Sequence, residues 1–390
     1  MKIAILVRIL WSAGTQKFAI QQAKALTDMG HDVELIFLRR GRNGSVYDDL
    51  LKGVSHRVLF EDNQSILVPL YDYVTGIFMS SRKGDGRVDY NLIRKFPSII
   101  KNKYDLIICQ DQFAGIAGYY SWRRFHIPYV VILHERINKF PWVHGIKRIL
   151  VLFALEYQKK VILKAQKVLS LAKGVAVSAE NFYSKYKLKV FNNFPGVDSK
   201  EFLDFSKKAN TVILLSYWRE DKAPELYIDI FRKLVDFKFL MIGNWLSESY
   251  KQLYMAKLND GNLSSRVRLI SDLSEDAKNN LIESSKFYLR FGKGEKGTGY
   301  GSVEALEQGV PIIVSRELGI VDEIGGYTVG LVVEDSNKTD KIIEFIRNNN
   351  NPSSYRKLQD GIKEFVKDHS WRSHCEKLLD GLECNNNQTG

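Results

Sequence analysis

The stretch from Gly292 to Val314, GKGEKGTGYGSVEALEQGVPIIV, decides how the rest of this sequence is interpreted. Five glycines precede a segment of helical periodicity that opens near Ser302, and a short apolar strand follows it. A glycine-rich loop lets backbone N–H groups approach a ligand, and the N-terminus of a helix favours an anion. Glu304, in the first turn of that helix, is placed to accept hydrogen bonds from ribose hydroxyls. The stretch predicts a phosphate site; the alternative is an exposed loop before an ordinary helix-start glutamate.

On both sides of this stretch, short apolar strands alternate with helical segments, a pattern typical of parallel sheets covered by helices. The chain begins with an apolar strand at Lys2–Arg8, a small-residue turn and a helix. A turn-rich break at Asn192–Asp198 interrupts the pattern, which then restarts. We therefore predict an α/β protein with a Rossmann-like domain at 1–195, a second at 196–370, and a C-terminal helix with a polar tail at 371–390 that packs back on the first domain.

Periodicity also predicts the individual elements, with Ser274 as the N-cap of its helix. The strands of the first half are predicted at Val33–Leu38, Leu106–Cys109, Tyr129–Leu133, Val168–Leu171 and Val175–Val177. Those of the second half are predicted at Val212–Leu215, Phe239–Ile242, Val267–Ile270, Phe287–Leu289, Pro311–Val314 and Leu331–Val333. The helices are predicted at Gly115–Phe125, Lys147–Lys167, Pro224–Leu234, Ser274–Ser285, Ser302–Gln308 and Lys338–Arg347.

Composition excludes several classes of protein. Of 390 residues, 45% are hydrophobic and 26% are charged, which is typical of globular domains. Three cysteines cannot form a disulfide framework, and without a paired CxxC motif they predict no zinc site; we expect a reducing, cytoplasmic setting. No apolar run reaches the roughly 18 residues of a membrane span.

The positive charge is concentrated in the first half of the chain. The net charge is +12, but residues 1–195 hold 30 basic and 15 acidic side chains, whereas residues 196–390 hold 27 and 30. Such asymmetry indicates that the first half faces an anionic surface: a membrane, a nucleic acid or a phosphorylated substrate. No nucleic-acid-binding motif is recognisable, so we expect no nucleic-acid partner.

Cations and aromatic residues mix before and within the predicted helix that begins at Lys147. Amphipathic basic segments of this kind lie on anionic membrane surfaces. The alternative is a core-packing helix with a solvated basic face, but the charge asymmetry favours peripheral contact with the cytoplasmic face of a membrane. The residues that we expect to contact the membrane or an acceptor are Arg136, Lys139, Trp142, Lys147 and Arg148.

Four stretches, in the same order along the chain, resemble one known family. The run VEALEQGVPIIVS at Val303–Ser315 resembles the signature of retaining glycosyltransferases of the GT-B fold, family 4 (glycosyl transferases group 1). Ala13–Lys17 resembles the first glycine loop of that family, and Phe194–Asp198 resembles its turn at the domain boundary. Ser370-Trp371 resembles the start of its C-terminal helix.

The resemblance implies two Rossmann-like domains that face each other across a cleft. It implies that the C-terminal domain holds a nucleotide-diphosphate sugar, that the N-terminal domain holds the acceptor, and that the sugar is transferred with retention and without a bound metal or other cofactor. His134, at the end of a strand, would lie near the sugar, and Asp111 is a further candidate on the acceptor side. The donor-binding positions would be Gly14, Thr15, Arg219, Lys222, Gly297, Thr298, Gly299, Tyr300 and Glu304.

The sequence departs from the family pattern at two positions. The family's arginine five residues before Lys222 is replaced by Tyr217, so Arg219 is the substitute candidate. The first glutamate of the family motif, eight positions before Glu304, is replaced by Lys296. Either Glu295 fills the catalytic position of that glutamate, or Lys296 contacts the donor directly.

We therefore predict a retaining glycosyltransferase that moves a sugar to a hydroxyl of a glycan or lipid-linked acceptor. Two alternatives remain at the level of the sequence. A sugar-nucleotide epimerase of the same fold would convert its substrate with no acceptor present. A non-catalytic sugar-nucleotide-binding relative is the other, because Tyr217 and Lys296 replace family residues.

Overall fold

A computed structural model describes residues 1–10, 14–40, 47–60, 90–101, 103–137, 145–292, 297–334 and 339–382. The chain divides into two compact units. One comprises Met1–Asn193 with His374–Gly390, and the other comprises Phe194–Ser373. Each unit is a parallel sheet with helices, so the predicted fold class of two Rossmann-like α/β domains is confirmed.

The first unit contains a seven-stranded parallel sheet with the order β3-β2-β1-β4-β5-β6-β7. Its strands are β1 (Lys2–Leu10), β2 (Asp32–Arg40), β3 (His56–Phe60), β4 (Leu106–Cys109), β5 (Tyr129–Leu133), β6 (Lys167–Ser170) and β7 (Phe191–Asn192). The helices are α1 (Gly14–Asp28), α2 (Tyr90–Ile100), α3 (Ala114–Phe125), α4 (Ile146–Lys164) and α5 (Lys173–Phe182). Strands β4 and β5 are entirely buried, because helices cover both faces of a parallel sheet.

Helix α3 lies unusually close to this sheet. A Cβ atom added at Gly118 would lie 2.8 Å from the Tyr129 ring and 2.9 Å from the sulfur of Cys109. At Gly115 it would lie 2.6 Å from Val161 of α4. The two glycines therefore allow α3 to pack directly against both the sheet and α4.

One predicted strand is wrong. The run Val175–Val177 lies inside α5, and the strand beside it is β6. Val175 and Ala179, four residues apart, are buried on one face of the helix, whereas Val177 is 53% exposed, so the run follows helical periodicity. A short apolar run cannot by its periodicity be distinguished from a buried helical segment.

The second unit contains a six-stranded parallel sheet with the order β10-β9-β8-β11-β12-β13. Its strands are β8 (Ala209–Leu215), β9 (Lys238–Ile242), β10 (Val267–Ile270), β11 (Ser285–Arg290), β12 (Ile312–Ser315) and β13 (Gly330–Val333). Its helices are α6 (Ile228–Lys233), α7 (Glu248–Asp260), α8 (Glu275–Glu283), α9 (Tyr300–Glu307), α10 (Val321–Ile324), α11 (Thr339–Asn349) and α12 (Pro352–Asp368). Ser274 caps α8 as predicted, because its hydroxyl accepts a hydrogen bond from the Ala277 N–H.

The last described helix, α13 (Trp371–Leu379), starts at the predicted tryptophan and runs from the second unit into the first. Its C-terminal end is capped from the first unit's sheet. The Lys167 ammonium donates to the carbonyl oxygens of Lys377 at 2.7 Å and Asp380 at 2.8 Å. No helix among the described ranges is both long and apolar enough to cross a membrane.

Two stretches of the second unit that resemble family motifs contact each other. The Val197 N–H donates to the His369 carbonyl at 2.8 Å, and Val197 pairs with Ser370 as an isolated bridge. A Cβ at Gly196 would lie 2.4 Å from the Trp371 Cα. The glycine of the Phe194–Asp198 turn is therefore required because the start of α13 occupies the space of a side chain.

We predict that Gly196→Ala destabilises the protein by about 2 kcal/mol or more, because overpacking here must displace backbone rather than a flexible side chain. Urea unfolding followed by tryptophan fluorescence measures the change. Gly326→Ala is the matched control, because no atom lies within 4 Å of its added Cβ. An equal midpoint for the two variants would contradict the packing argument.

Candidate active site

The described residues of the predicted phosphate loop are Gly292, which follows β11, and Gly297–Gly299, which leads into α9. Gly299 has a left-handed backbone (φ 71°, ψ 60°) directly before the first helical residue, Tyr300. The Ser302 N–H donates to the Gly299 carbonyl at 2.7 Å, and the Gly319 N–H donates to the Gly297 carbonyl at 2.8 Å. These bonds fix the three-residue segment Gly297–Gly299, in which Thr298 is buried, at the N-terminus of a helix.

A further glycine brings α9 close to the sheet. A Cβ at Gly301 would lie 2.8 Å from the Tyr288 hydroxyl and 3.1 Å from Leu215, on the neighbouring strands β11 and β8. The sequence motif thus combines glycines for the left-handed turn and for close packing. An anion at this helix N-terminus would meet backbone N–H groups held by both constraints.

Glu304 lies in α9 and belongs to a buried ion network that the sequence analysis missed. Its carboxylate accepts a hydrogen bond from the Lys278 ammonium at 2.7 Å, and the same ammonium contacts Glu275 at 2.7 Å. The side chains of Glu304 and Glu275 are 9% and 8% exposed. Ser274 predicted the start of the helix that contains Lys278, but nothing local predicted the contact of Lys278 with Glu304, which is distant in sequence.

Arg219 and Lys222 lie in the loop after β8, the strand next to β11. Arg219 is extended and precedes a single 3-10 turn, Glu220–Lys222. The loop is anchored by Trp218, which is fully buried and whose indole N–H donates to the Ile242 carbonyl at 3.2 Å. The side chains of Arg219 and Lys222 are partly buried. Tyr217, which replaces the family's arginine, is more exposed, at 53%.

The two loops emerge where the strand order reverses. From β8 the sheet is built outward through β9 and β10, and the chain then returns to place β11 on the other side of β8. In open α/β sheets, ligands bind at the carboxyl ends of the strands at this switch point. The fold therefore brings Arg219 and Lys222 to the same sheet edge as the Gly297–Gly299 segment and Glu304.

Arg290 is a further cation that the sequence analysis did not single out. It is the last residue of β11 and is only 5% exposed. Its guanidinium lies 6.0 Å from the centre of the Trp218 ring. A charged residue directly after the apolar run Phe287–Leu289, two residues before Gly292, was the signal that could have found it.

In the first unit, His134 follows the end of β5. Its Nε2 lies 2.9 Å from Oε1 of Gln110, and the Phe18 ring packs against the imidazole in a T-shaped arrangement with centroids 5.2 Å apart. Burial lowers the pKa of His134 to about 4; the Asp111 carboxylate opposes the shift and His374 adds to it. The imidazole is therefore neutral near pH 7 and acts through hydrogen bonds rather than charge.

The structure places the remaining candidates of the first unit as follows. Gly14 is the exposed first residue of α1, and Thr15 follows it in the first turn. Asp111 has a structural role, because its carboxylate accepts from the N–H groups of Phe113 and Ala114 at the start of α3 and pairs with Arg8 at 2.7 Å.

The candidates for membrane or acceptor contact are only partly described. Arg136 is exposed, and Arg148 is partly exposed in the first turn of α4, which also contains Lys147. On the same helix, Ile149 and Leu152 are each 52% exposed. Four predicted residues lie outside the described ranges: Glu295, Lys296, Lys139 and Trp142.

Two Rossmann-like units, one with a glycine loop and a buried glutamate at its switch point, define a protein of the GT-B class. Residues 12–194 match the profile of Glycosyltransferase Family 4, and residues 198–368 match that of Glycosyl transferases group 1. The chain therefore belongs to this glycosyltransferase family.

Known relatives agree with this assignment. An uncharacterized glycosyltransferase of Methanocaldococcus jannaschii, MJ1178, is 26% identical over 224 residues, which is 56% of this chain and 58% of that protein. The crystal structure of Anabaena HepE in complex with UDP and glucose covers 98% of this chain and all of its own, with a TM-score of 0.73 and 15% identity. Sucrose-phosphate synthase from Thermosynechococcus elongatus covers 97% of each chain, with a TM-score of 0.70 and 14% identity. At these identities the two structures show the shared fold.

The lowered pKa of His134 predicts a pH-dependent stability. Between pH 6.5 and about 4 the unfolded chain protonates this histidine while the folded protein does not, so stability falls as the pH falls through that window. His134→Gln should flatten this dependence by up to about 1.4 kcal/mol per pH unit. Urea unfolding of both proteins across the window measures it, and identical slopes would contradict a neutral, buried imidazole.

Proposed function

We propose that this protein is a retaining glycosyltransferase that moves a sugar from a nucleotide-diphosphate sugar to a hydroxyl of a glycan or lipid-linked acceptor. The observation that carries the proposal is the fixed Gly297–Gly299 segment at the N-terminus of α9, with Glu304 buried in the same helix. The UDP and glucose bound by the similar HepE structure support a nucleotide-sugar donor.

The donor site follows from the charges at the sheet edge. The backbone N–H groups of the glycine loop and the positive end of α9 would receive the diphosphate. Lys222 and Arg219 would offset its charge, with Arg290 close by, so that no metal ion is required. Glu304, with one oxygen held by Lys278, would accept hydrogen bonds from the ribose hydroxyls.

The proposed transfer is a front-face displacement. The bond between the anomeric carbon and the diphosphate oxygen breaks, and the acceptor oxygen bonds to the same face of that carbon. The acceptor proton passes to the departing phosphate oxygen, so the products are the glycoside and a nucleoside diphosphate. His134 would contact the sugar, Gly14 and Thr15 would offer N–H groups to the diphosphate, and Glu295 or Lys296 would occupy the family's first-glutamate position.

We predict that Lys222→Ala lowers kcat/KM by about a hundredfold, because a cation that stabilises leaving-group charge acts mainly in the transition state. Rates of sugar transfer, measured with a panel of nucleotide sugars and candidate acceptors, give kcat/KM for the wild type and the variant. Lys363→Ala is the control, since that lysine is 60% exposed and pairs within its own helix with Asp360. Unchanged efficiency in Lys222→Ala would refute the phosphate assignment, and donor conversion without acceptor would indicate an epimerase.

We further propose that the first unit docks on the cytoplasmic face of an anionic membrane, where a lipid-linked acceptor is presented. Ile149 and Leu152, three residues apart on α4, are half exposed, and Arg148 lies beside them. The excess of basic residues in this half of the chain supports attraction to anionic lipid.

Vesicle sedimentation tests this docking. Binding to vesicles rich in phosphatidylglycerol should exceed binding to phosphatidylcholine and should weaken as salt increases. The double change of Ile149 and Leu152 to Ser should reduce it several-fold, because each exposed apolar side chain adds to interfacial binding. Val235→Ser, at a 62% exposed residue of the second unit, is the control. If the wild type at low salt binds anionic vesicles no better than phosphatidylcholine vesicles, the proposal is refuted.

A further inference from the structure

Four buried or partly buried polar side chains form one continuous chain in the first unit. The Nε2 atom of His134 lies 2.9 Å from Oε1 of Gln110. The Gln110 amide donates to Oε1 of Gln22 at 2.6 Å, and the Gln22 amide nitrogen lies 3.1 Å from Nε2 of His374. Gln22, Gln110 and His374 are at most 2% exposed.

The chain joins elements that are distant in sequence. Gln22 is in α1, Gln110 follows β4, His134 follows β5, and His374 is in α13. Phe18 makes T-shaped ring contacts with both imidazoles, with centroids 5.2 and 5.3 Å away. The Asn193 amide donates to the His374 carbonyl at 3.0 Å, which further fixes that part of α13.

The polarity of such a chain is all-or-none. Each glutamine amide has one accepting oxygen and one donating nitrogen, so each passes the direction of donation to the next member. Only one of the two terminal Nε2 atoms can therefore carry a proton toward the chain. In the observed orientation Gln110 presents its oxygen to His134, and Gln22 presents its nitrogen to His374. His134 then carries its proton on Nε2, and His374 carries its proton on Nδ1.

We propose that His374 is a positioning residue for His134: through Gln22 and Gln110 it fixes the proton of His134 on Nε2 and leaves Nδ1 as a hydrogen-bond acceptor. This inference rests on the proposed function in one respect, that His134 contacts the sugar. An acceptor nitrogen orients a donating hydroxyl of the bound sugar for transfer, so the C-terminal helix takes part in positioning the sugar without touching it.

Nitrogen-15 NMR of histidine side chains tests the proposal without any assay of transfer, since it reports which ring nitrogen is protonated. The full-length wild type at pH 7.5 should show His134 protonated on Nε2 and His374 on Nδ1, with assignments from His134→Gln and His374→Gln. The same tautomer at both residues would overturn the proposal.

Variants test the coupling. In His374→Leu the Gln22 amide loses its acceptor, so His134 should shift toward a mixture of tautomers. His374→Gln, which retains an accepting oxygen near the former Nε2, should restore the wild-type signal. Gln22→Met breaks the chain of hydrogen bonds without changing α13. If His374→Leu does not fold, this variant tests the coupling between His374 and His134. His369→Gln, at a histidine outside the chain, is the control. A His134 signal unchanged in both chain-breaking variants would refute the coupling.

Kinetics then separates this inference from the proposed function. With an active donor and acceptor pair, His374→Leu should lower kcat about tenfold, leave the KM for the donor nearly unchanged and recover in His374→Gln. If no donor supports transfer, the proposed function fails while the NMR result still decides the polarity of the chain. A change in KM alone, unrescued by Gln, would indicate a merely structural role and overturn the proposal.

Discussion

The parallel sheet imposes the constraint on which the rest of this protein depends. A strand covered by helices on both faces has no solvated side, so its residues are apolar and polar groups accumulate where the strand ends. Strand β5 is buried throughout and ends directly before His134. Strand β11 is equally buried; its central residues Phe287–Leu289 are apolar, and its last residue is Arg290. The same requirement for burial that builds each sheet thus gathers the functional groups at one of its edges.

Polar groups at these edges are held by other buried polar groups. Lys278 lies between the carboxylates of Glu304 and Glu275, and Gln22 lies between Gln110 and His374. Taking charges out of water is costly, and a buried ion network often adds little net stability compared with an apolar core. What such a network does provide is a fixed orientation of its members, because any arrangement that breaks a contact leaves a polar group buried without a partner. We therefore interpret both networks as devices that orient Glu304 and His134.

Features of the fold and the candidate site that depend on residues close in sequence could be predicted, and those that depend on residues distant in sequence could not. Strand and helix periodicity, the Ser274 cap and the glycine loop depend on neighbours within a few residues, and they were predicted. The strand predicted at Val175–Val177 was wrong, because an apolar run of three residues fits a strand and a helix equally. Lys278 and Gln22 could not be found, since their importance lies in contacts with Glu304 and His374 that only the fold creates. The roles of Glu295 and Lys296 stay predictions.

The C-terminal helix shows why such contacts matter for the assignment of function. Helix α13 starts against Gly196 in the second unit, and three residues later His374 belongs to the first. Its sequence, WRSHCEKLL, contains no motif that suggests chemistry. Yet its histidine ends the polar chain that begins at His134, and its terminal carbonyls are capped by Lys167. A boundary drawn at residue 195 would separate the first sheet from side chains that complete its polar network. The first domain is therefore defined by two segments of the chain, and the second of them supplies the group that sets the proton position of the candidate sugar-contacting histidine.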